Sequence, residues 1–259
     1  MKDIPVTIGI VTFKERKELV KKLITDIRSL EGEQFDLLLM VNGNNEEEMD
    51  DEYRSEMLDF CSTVKRCYPY FYPEFKSLSK LWNNCVVFSK TNYNFIICDD
   101  VFYKSPDVLT HIRSHINKTQ EEFFKINNQF SFFVVTKEML HRVGYFDERL
   151  IAHGNEDGDI IYRYQDLLKK NFPSVRISGL ENGACYDLQS NLVDYTHRKP
   201  TVNLKIMVQK YETGTGGMEV MTAQLKKRWP DEKQYPYEMF IWKNKHNIRN
   251  FTSIETPHE

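Results

Sequence analysis

The chain has 259 residues, 41% of them hydrophobic and 28% charged, with a formal net charge of -3. These values describe a globular chain long enough to bury a full core in one α/β domain. With no dense Lys/Arg block, the sequence lacks the electrostatic footprint of a nucleic-acid binder, and no run approaches the ~18 apolar residues of a membrane span. Residues 1–5 lack the basic start and apolar core of a secretory signal, so the expected location is the cytoplasm, at most peripheral to a membrane. The cysteines (Cys61, Cys67, Cys85, Cys98, Cys185) form an odd set without CxxC spacing, which predicts reduced thiols rather than a disulfide framework or a zinc site.

Residues 6–12 (VTIGIVT) form a β-branched run, followed by apolar residues Leu19, Val20, Leu23, Ile24 and Ile27 at helical spacing. A second apolar run, 35–41, ends in the turn formers Asn42, Gly43, Asn44 and Asn45, and an acidic stretch with helical character follows to about residue 60. A helix is predicted over 76–89, then a strand over 94–98 that stops at Asp99-Asp100. Strands alternating with helices predict βαβ units and a mostly parallel, doubly wound sheet, whose ligands sit beyond the carboxyl ends of the strands. Farther on come a strand over 130–136, a short helix carrying Met139, Leu140 and Val143, and an amphipathic helix that opens at Asn155-Glu156-Asp157-Gly158-Asp159. Asn155 is placed to cap that helix. Beyond residue 200 the pattern weakens, with a Gly/Thr-rich segment at 213–217, a helix near 218–228 and an aromatic-rich tail.

Two motifs carry chemistry. The apolar strand Phe95-Ile96-Ile97-Cys98 ends in Asp99-Asp100. Adjacent carboxylates repel unless a positive charge sits between them, and Mg²⁺ or Mn²⁺ bridging to a diphosphate would supply it. A solvated turn, where Asp is common, is the plain alternative. At the second motif, Glu156, Asp157 and Asp159 crowd a first helical turn, where the helix dipole keeps a base ionised, although acidic residues also stabilise any helix there.

In order and spacing these motifs resemble the family 2 inverting glycosyltransferases. The likeness runs over roughly residues 5–200. It includes the first strand Ile8-Gly9-Ile10-Val11-Thr12-Phe13, Leu81-Trp82-Asn83, the Asp pair, Val143-Gly144-Tyr145-Phe146-Asp147-Glu148, and Glu156-Asp157-Gly158-Asp159 with Arg163. The resemblance implies a GT-A fold, a Rossmann-like, mostly parallel sheet flanked by helices. Residues 1–200 would form the glycosyltransferase domain, with a nucleotide-sugar-binding half to about 103 and an acceptor-binding half from about 104, and 201–259 would be a helical extension packed on it.

It further implies that Thr12, Phe13, Asn42 and Asn83 lie at the nucleotide, and that Asp99 faces the ribose or is left to water, since Cys98 stands at the first position of the family's Asp-x-Asp motif. Asp100, with His197 as a further ligand, would hold Mn²⁺ or Mg²⁺, and Asp157, with Glu156 as its rival, would be the general base. The second strand ends Val41-Asn42-Gly43-Asn44 where many relatives carry an acid, so the donor stays open among UDP-, GDP- and dTDP-sugars. The Gln-x-x-Arg-Trp signature of processive synthases is missing, so a single transfer to a glycan or other hydroxyl acceptor is expected. A sugar nucleotidyltransferase and a non-catalytic binding module of the same fold are the alternatives. The first normally needs a glycine-rich phosphate loop, which Thr12-Phe13-Lys14-Glu15-Arg16 does not supply, and the second has no reason to keep the acids.

Overall fold

The computed structural model describes residues 4–43, 50–150 and 154–183, together with Asn203 and Met207. Strand β1 (Val6–Thr12) is buried along its whole length, as a strand covered on both faces must be. A 3-10 turn (Lys14–Arg16) leads into helix α1 (Lys17–Glu31), which buries Val20, Leu23, Ile24 and Ile27 on one stripe. Strand β2 (Leu37–Val41) is likewise fully buried. Helix α2 (Asp51–Thr63) starts where the Asp50 carboxylate accepts the Tyr53 backbone N–H at 2.9 Å, which satisfies one of the four donors that a helix start leaves open.

Strand β3 (Cys67–Phe71), helix α3 (Leu78–Phe88) and strand β4 (Tyr93–Cys98) follow. Then come β5 (Val101–Tyr103), α4 (Val108–Thr119), β6 (Phe123–Ile126), β7 (Gln129–Thr136), α5 (Lys137–Val143), α6 (Glu156–Leu168), β8 (Ser174–Val175) and β9 (Leu180–Asn182).

Seven strands form one sheet in the order β3-β2-β1-β4-β7-β6-β8. The pairs β3–β2, β2–β1 and β1–β4 are parallel, β7 runs antiparallel to both β4 and β6, and β8 is parallel to β6. Strands β5 and β9 pair separately, with Tyr103 across from Leu180. This is the mostly parallel, helix-flanked sheet that the sequence predicts. Gly9 shows why β1 carries no side chain at its centre: a Cβ there would lie 2.7 Å from Cys85 Cβ and 2.8 Å from Ile96 Cδ1, so β1 and α3 pack backbone to side chain.

The stretch 68–73, rich in aromatic residues and proline, contains most of the edge strand β3. Pro69 fits there because an edge strand has one side free of ladder bonds, and Tyr70 stacks on Phe88 with ring centroids 4.6 Å apart. Helix α4 buries Val108, Leu109, Ile112 and Ile116 at helical spacing, a signal that the sequence reading above leaves out, and β6 has only four residues.

The chain divides into two compact units. Among the described residues, the first comprises 4–43, 50–76, 81–138 and 172–183, and holds both sheets. The second comprises 77–80, 139–150 and 154–171, with Asn203 and Met207. The chain passes between them more than once, so chain-order halves and compact units divide it differently. The Gly/Thr-rich segment, the helix near 218–228 and the rest of the C-terminal extension lie outside the described residues. No helix among the described residues is long and apolar enough to cross a membrane.

Candidate active site

In the first unit, β1 is flanked by β2, which follows it in the chain, and by β4, to which the chain returns after β3. The strand order therefore reverses between β1 and β4, and the crevice beyond their carboxyl ends is where ligands of open α/β sheets bind. Register sets Thr12 opposite Val41 and Val11 opposite Cys98. Thr12-Phe13, Asn42 and Asp99-Asp100 thus leave the sheet from one edge.

Each of these residues is held differently. Asn42 receives the Lys76 N–H at 2.8 Å on Oδ1 and donates Nδ2 to the Lys76 carbonyl at 2.9 Å. This reciprocal clamp ties the end of β2 to the segment before α3 and leaves the amide one hydrogen and one lone pair. Gly43 beside it is required by close approach, since a Cβ would fall 2.5 Å from the Tyr72 carbonyl oxygen. Asn83 is fully buried. Its neighbour Trp82 packs edge-on against Phe133, with centroids 5.3 Å apart.

Asp99 and Asp100 are both buried. Arg16 Nη1 lies 2.8 Å from Asp99 Oδ1 and 3.1 Å from Asp100 Oδ2, and the guanidinium carbon sits 5.1 Å from the Phe13 ring centroid. Burial pushes the Asp99 carboxyl up to about 6, against the pull of Arg16 and with a further push from the Asp100 charge. The Asp100 carbonyl accepts the Gly183 N–H at 2.9 Å, which fixes the turn after β4. Sequence reading missed Arg16, although it stands at the end of the polar Lys14-Glu15-Arg16 stretch that follows β1. It also missed Tyr53 of α2, a buried phenol whose ionisation is opposed by burial and by the nearby Asp99 charge.

The acid pair has the chemistry of a divalent-cation site. Its oxygens are the donors that Mg²⁺ and Mn²⁺ prefer, and the Thr12 hydroxyl stands against both the Asp99 carboxylate and the Tyr53 phenol. Among the described residues no group of three or more His, Cys, Asp or Glu could hold a metal. The donor set fits a cation that takes its remaining ligands from phosphate and water. His197 and His153 lie outside the described residues.

In the second unit, Asn155 stands at the start of α6 in a left-handed conformation, φ 74°, and its side chain makes no capping bond. The cap expected of Asn155 is therefore one of backbone shape alone, a conformation Asn tolerates better than most residues. The acids that follow separate clearly. Asp159 is fully buried and accepts Arg163 Nε at 2.9 Å and Nη2 at 2.7 Å. Arg163 also donates to the carbonyls of Val143 at 3.0 Å and Tyr145 at 2.8 Å. Glu156 is 4% exposed.

Asp157 alone of the three is half-buried. Its Oδ1 accepts the Gly158 N–H at 2.8 Å, while Oδ2 meets no hydrogen-bond donor among the described residues. Asp147 and Glu148, part of the motif preceding α6, are buried in ion pairs with Arg149 and with Lys80, the latter at 3.1 Å.

Residues 72–189 match the family model described as glycosyltransferase like family 2. The matched span contains the Asp pair and the α6 acids, and begins after Thr12-Phe13 and Arg16. No curated protein matches the sequence.

Among solved structures, the chain is similar to the mannosyltransferase PcManGT from Pyrobaculum calidifontis in complex with GDP-Man and Mn²⁺, with TM-score 0.57, 9% identity and coverage of 97% of this chain and 74% of that one. It is similar to S. aureus TarS, with TM-score 0.54, 9% identity and coverage of 93% and 43%. It is also similar to glucosyl-3-phosphoglycerate synthase from Mycobacterium tuberculosis in complex with Mn²⁺, UDP and glucosyl-3-phosphoglycerate, with TM-score 0.50, 9% identity and coverage of 69% and 72%. At such identities the likeness is one of fold.

Proposed function

We propose that the protein is a glycosyltransferase that moves a sugar from a nucleotide-sugar donor to a hydroxyl acceptor in a single, inverting, divalent-cation-dependent step. The observation that carries the reading is the buried Asp99-Asp100 pair at the carboxyl end of β4, in the crevice beside Thr12, Phe13 and Asn42 where the strand order reverses. Solved structures of the same fold hold GDP-Man with Mn²⁺ and UDP with Mn²⁺, which supports a nucleoside-diphosphate donor and Mn²⁺ or Mg²⁺ here.

Phe13 offers a ring face to the base, and Asn42 its remaining hydrogen and lone pair to base or ribose. Asp99 accepts a ribose hydroxyl through Oδ2, and Asp100 is the cation ligand. When bound, the cation supplies Lewis-acid stabilisation of the charge that develops on the leaving diphosphate. Asp157 takes the proton of the acceptor hydroxyl as its oxygen forms the new bond to the anomeric carbon and the bond to the diphosphate breaks. Attack from the face opposite the leaving group inverts the configuration, and no enzyme-bound sugar is formed. Asp157 is favoured over Glu156 because it is the less buried of the two.

The test is release of nucleoside diphosphate from UDP-, GDP- and dTDP-sugars, with Mn²⁺ and with excess EDTA, by wild type and by Asp100→Ala. Cation-dependent release that is lost in the variant is expected. Undiminished turnover in EDTA, or a fully active variant, would overturn the cation's part in the mechanism.

A further inference from the structure

The cysteines show no paired spacing in sequence, yet the fold brings two of them together. Cys61 lies in the last turn of α2 and Cys67 opens the edge strand β3. Two successive turns join them, with the Val64 N–H on the Cys61 carbonyl at 3.1 Å and the Cys67 N–H on the Val64 carbonyl at 3.3 Å. Both are buried free thiols, and their side chains are in hydrogen-bonding contact. Ser62, Thr63, Lys65 and Arg66 between them are exposed, so only a thin turn separates the pair from solvent.

The two thiols stand in different electrostatic surroundings. The Arg28 guanidinium donates to the carbonyl of Arg66, the residue before Cys67, at 3.3 Å, and to those of Gly32 at 3.1 Å and Phe35 at 3.3 Å. Held in that place, its charge acts on the Cys67 sulfur. Cys61 instead sits at the carboxyl end of α2, where the helix dipole disfavours an anion. The hydrogen bond from Cys61, aided by Arg28, holds the Cys67 thiol below its usual range against the effect of burial, while that same bond and burial push Cys61 up. Cys85, by contrast, is fully buried and burial pushes its thiol up, the setting of an inert cysteine.

We infer that Cys61 and Cys67 are a redox-active dithiol, a modification site whose substrate is hydrogen peroxide, with Cys67 as the attacking thiolate and Cys61 as the resolving thiol. The inference is independent of the glycosyltransferase reading. The Cys67 sulfur attacks one peroxide oxygen and the O–O bond breaks, which leaves a sulfenic acid on Cys67. The departing hydroxide takes up the proton that Cys67 lost on ionising and leaves as water. The Cys61 sulfur then attacks the sulfenic sulfur, its proton goes to the leaving hydroxide, and a second water departs as the S–S bond forms. Two thiols are oxidised by two electrons in all, and one peroxide is reduced to two waters.

The experiment treats the full chain with hydrogen peroxide, blocks remaining thiols and maps a non-reducing tryptic digest by mass spectrometry. Cleavage after Arg54, Lys65, Arg66 and Lys76 separates peptides 55–65 and 67–76, so a Cys61–Cys67 bond shows as these two peptides linked. The linked pair is expected in native wild type, faster than in urea, and is expected to vanish with dithiothreitol. Cys61→Ser, without its resolving thiol, should hold a sulfenic acid on Cys67 that dimedone traps, whereas Cys67→Ser should give little trapping at Cys61.

Native wild type that yields no linked pair overturns the inference, a result that needs no variant to fold. So does a pair that forms no faster in the native protein than in urea, since such a bond would owe nothing to the fold. Dimedone on Cys61 of Cys67→Ser at the level found on Cys67 of Cys61→Ser overturns the assigned roles.

Discussion

Asp157 and Glu156 are neighbours in sequence with the same chemistry, and sequence alone leaves both as candidates for the base. Their surroundings separate them. Glu156 is 4% exposed, whereas Asp157 is half-buried and uses one oxygen on its own helix start, at 2.8 Å from Gly158 N. Replacing Asp157 with Asn keeps the shape and that hydrogen bond but removes the proton acceptor. We predict that Asp157→Asn lowers transfer by about 10²–10⁴-fold, the usual contribution of a general base, with donor affinity changed by no more than a few-fold. Glu156→Gln is expected to retain most of the rate. Normal turnover in both variants, measured with a saturating donor, would remove the base from this motif. If the acids serve only the helix dipole, the same substitutions alter stability by less than ~1 kcal/mol and leave the rate alone.

Helix α6 owes its position to a clasp that its amphipathic pattern does not reveal. Asp159 and Arg163 are one turn apart, which brings them together on any helix, but their burial and the reach of Arg163 to the carbonyls of Val143 and Tyr145 are products of packing within the second unit. Arg163→Met takes the arginine partner from the buried Asp159, and we expect it to cost about 3–5 kcal/mol of stability in urea unfolding. The double variant Asp159→Asn with Arg163→Met should lose less than Arg163→Met alone, because the uncompensated charge is gone. A comparable loss in both would mean that the hydrogen bonds to the carbonyls, rather than the charge pair, hold the helix. In the first unit, Gly9→Ala tests the contact of β1 with α3. With 2.7 Å between the added methyl and Cys85 Cβ, overpacking should destabilise the protein by about 1–3 kcal/mol, and an unchanged melting temperature would show that α3 can move aside.

For the molecule as a whole, the donor reading makes a prediction that requires no substitution. A ligand that binds the native state alone stabilises it by RT ln(1 + [L]/Kd), about 2.7 kcal/mol at a hundredfold excess over Kd. A thermal-shift panel of UDP-, GDP- and dTDP-sugars with Mn²⁺ should therefore raise Tm for one nucleotide class and leave the others near baseline. No shift with any of them would remove the nucleotide-sugar from the proposal. Local chain chemistry was enough to read β1, α1, α3, β4, β7 and α6, because their apolar periodicities are strong and their ends carry turn formers or acids. The same local signals marked the Asp pair and the α6 acids, since a buried strand that stops at two carboxylates is legible in one dimension. Sequence did not reveal β3, whose Pro69 reads as a loop until an edge position makes it acceptable, nor the four-residue β6, whereas the helical stripe of α4, Val108, Leu109, Ile112 and Ile116, was legible and was missed. Arg16 was out of reach for a different reason: it lies 83 residues before Asp99, and that pairing exists because parallel pairing of β1 with β4 brings their carboxyl ends together. Burial, partner choice and the difference between Glu156 and Asp157 are properties of packed neighbours, and only the tertiary structure decides them.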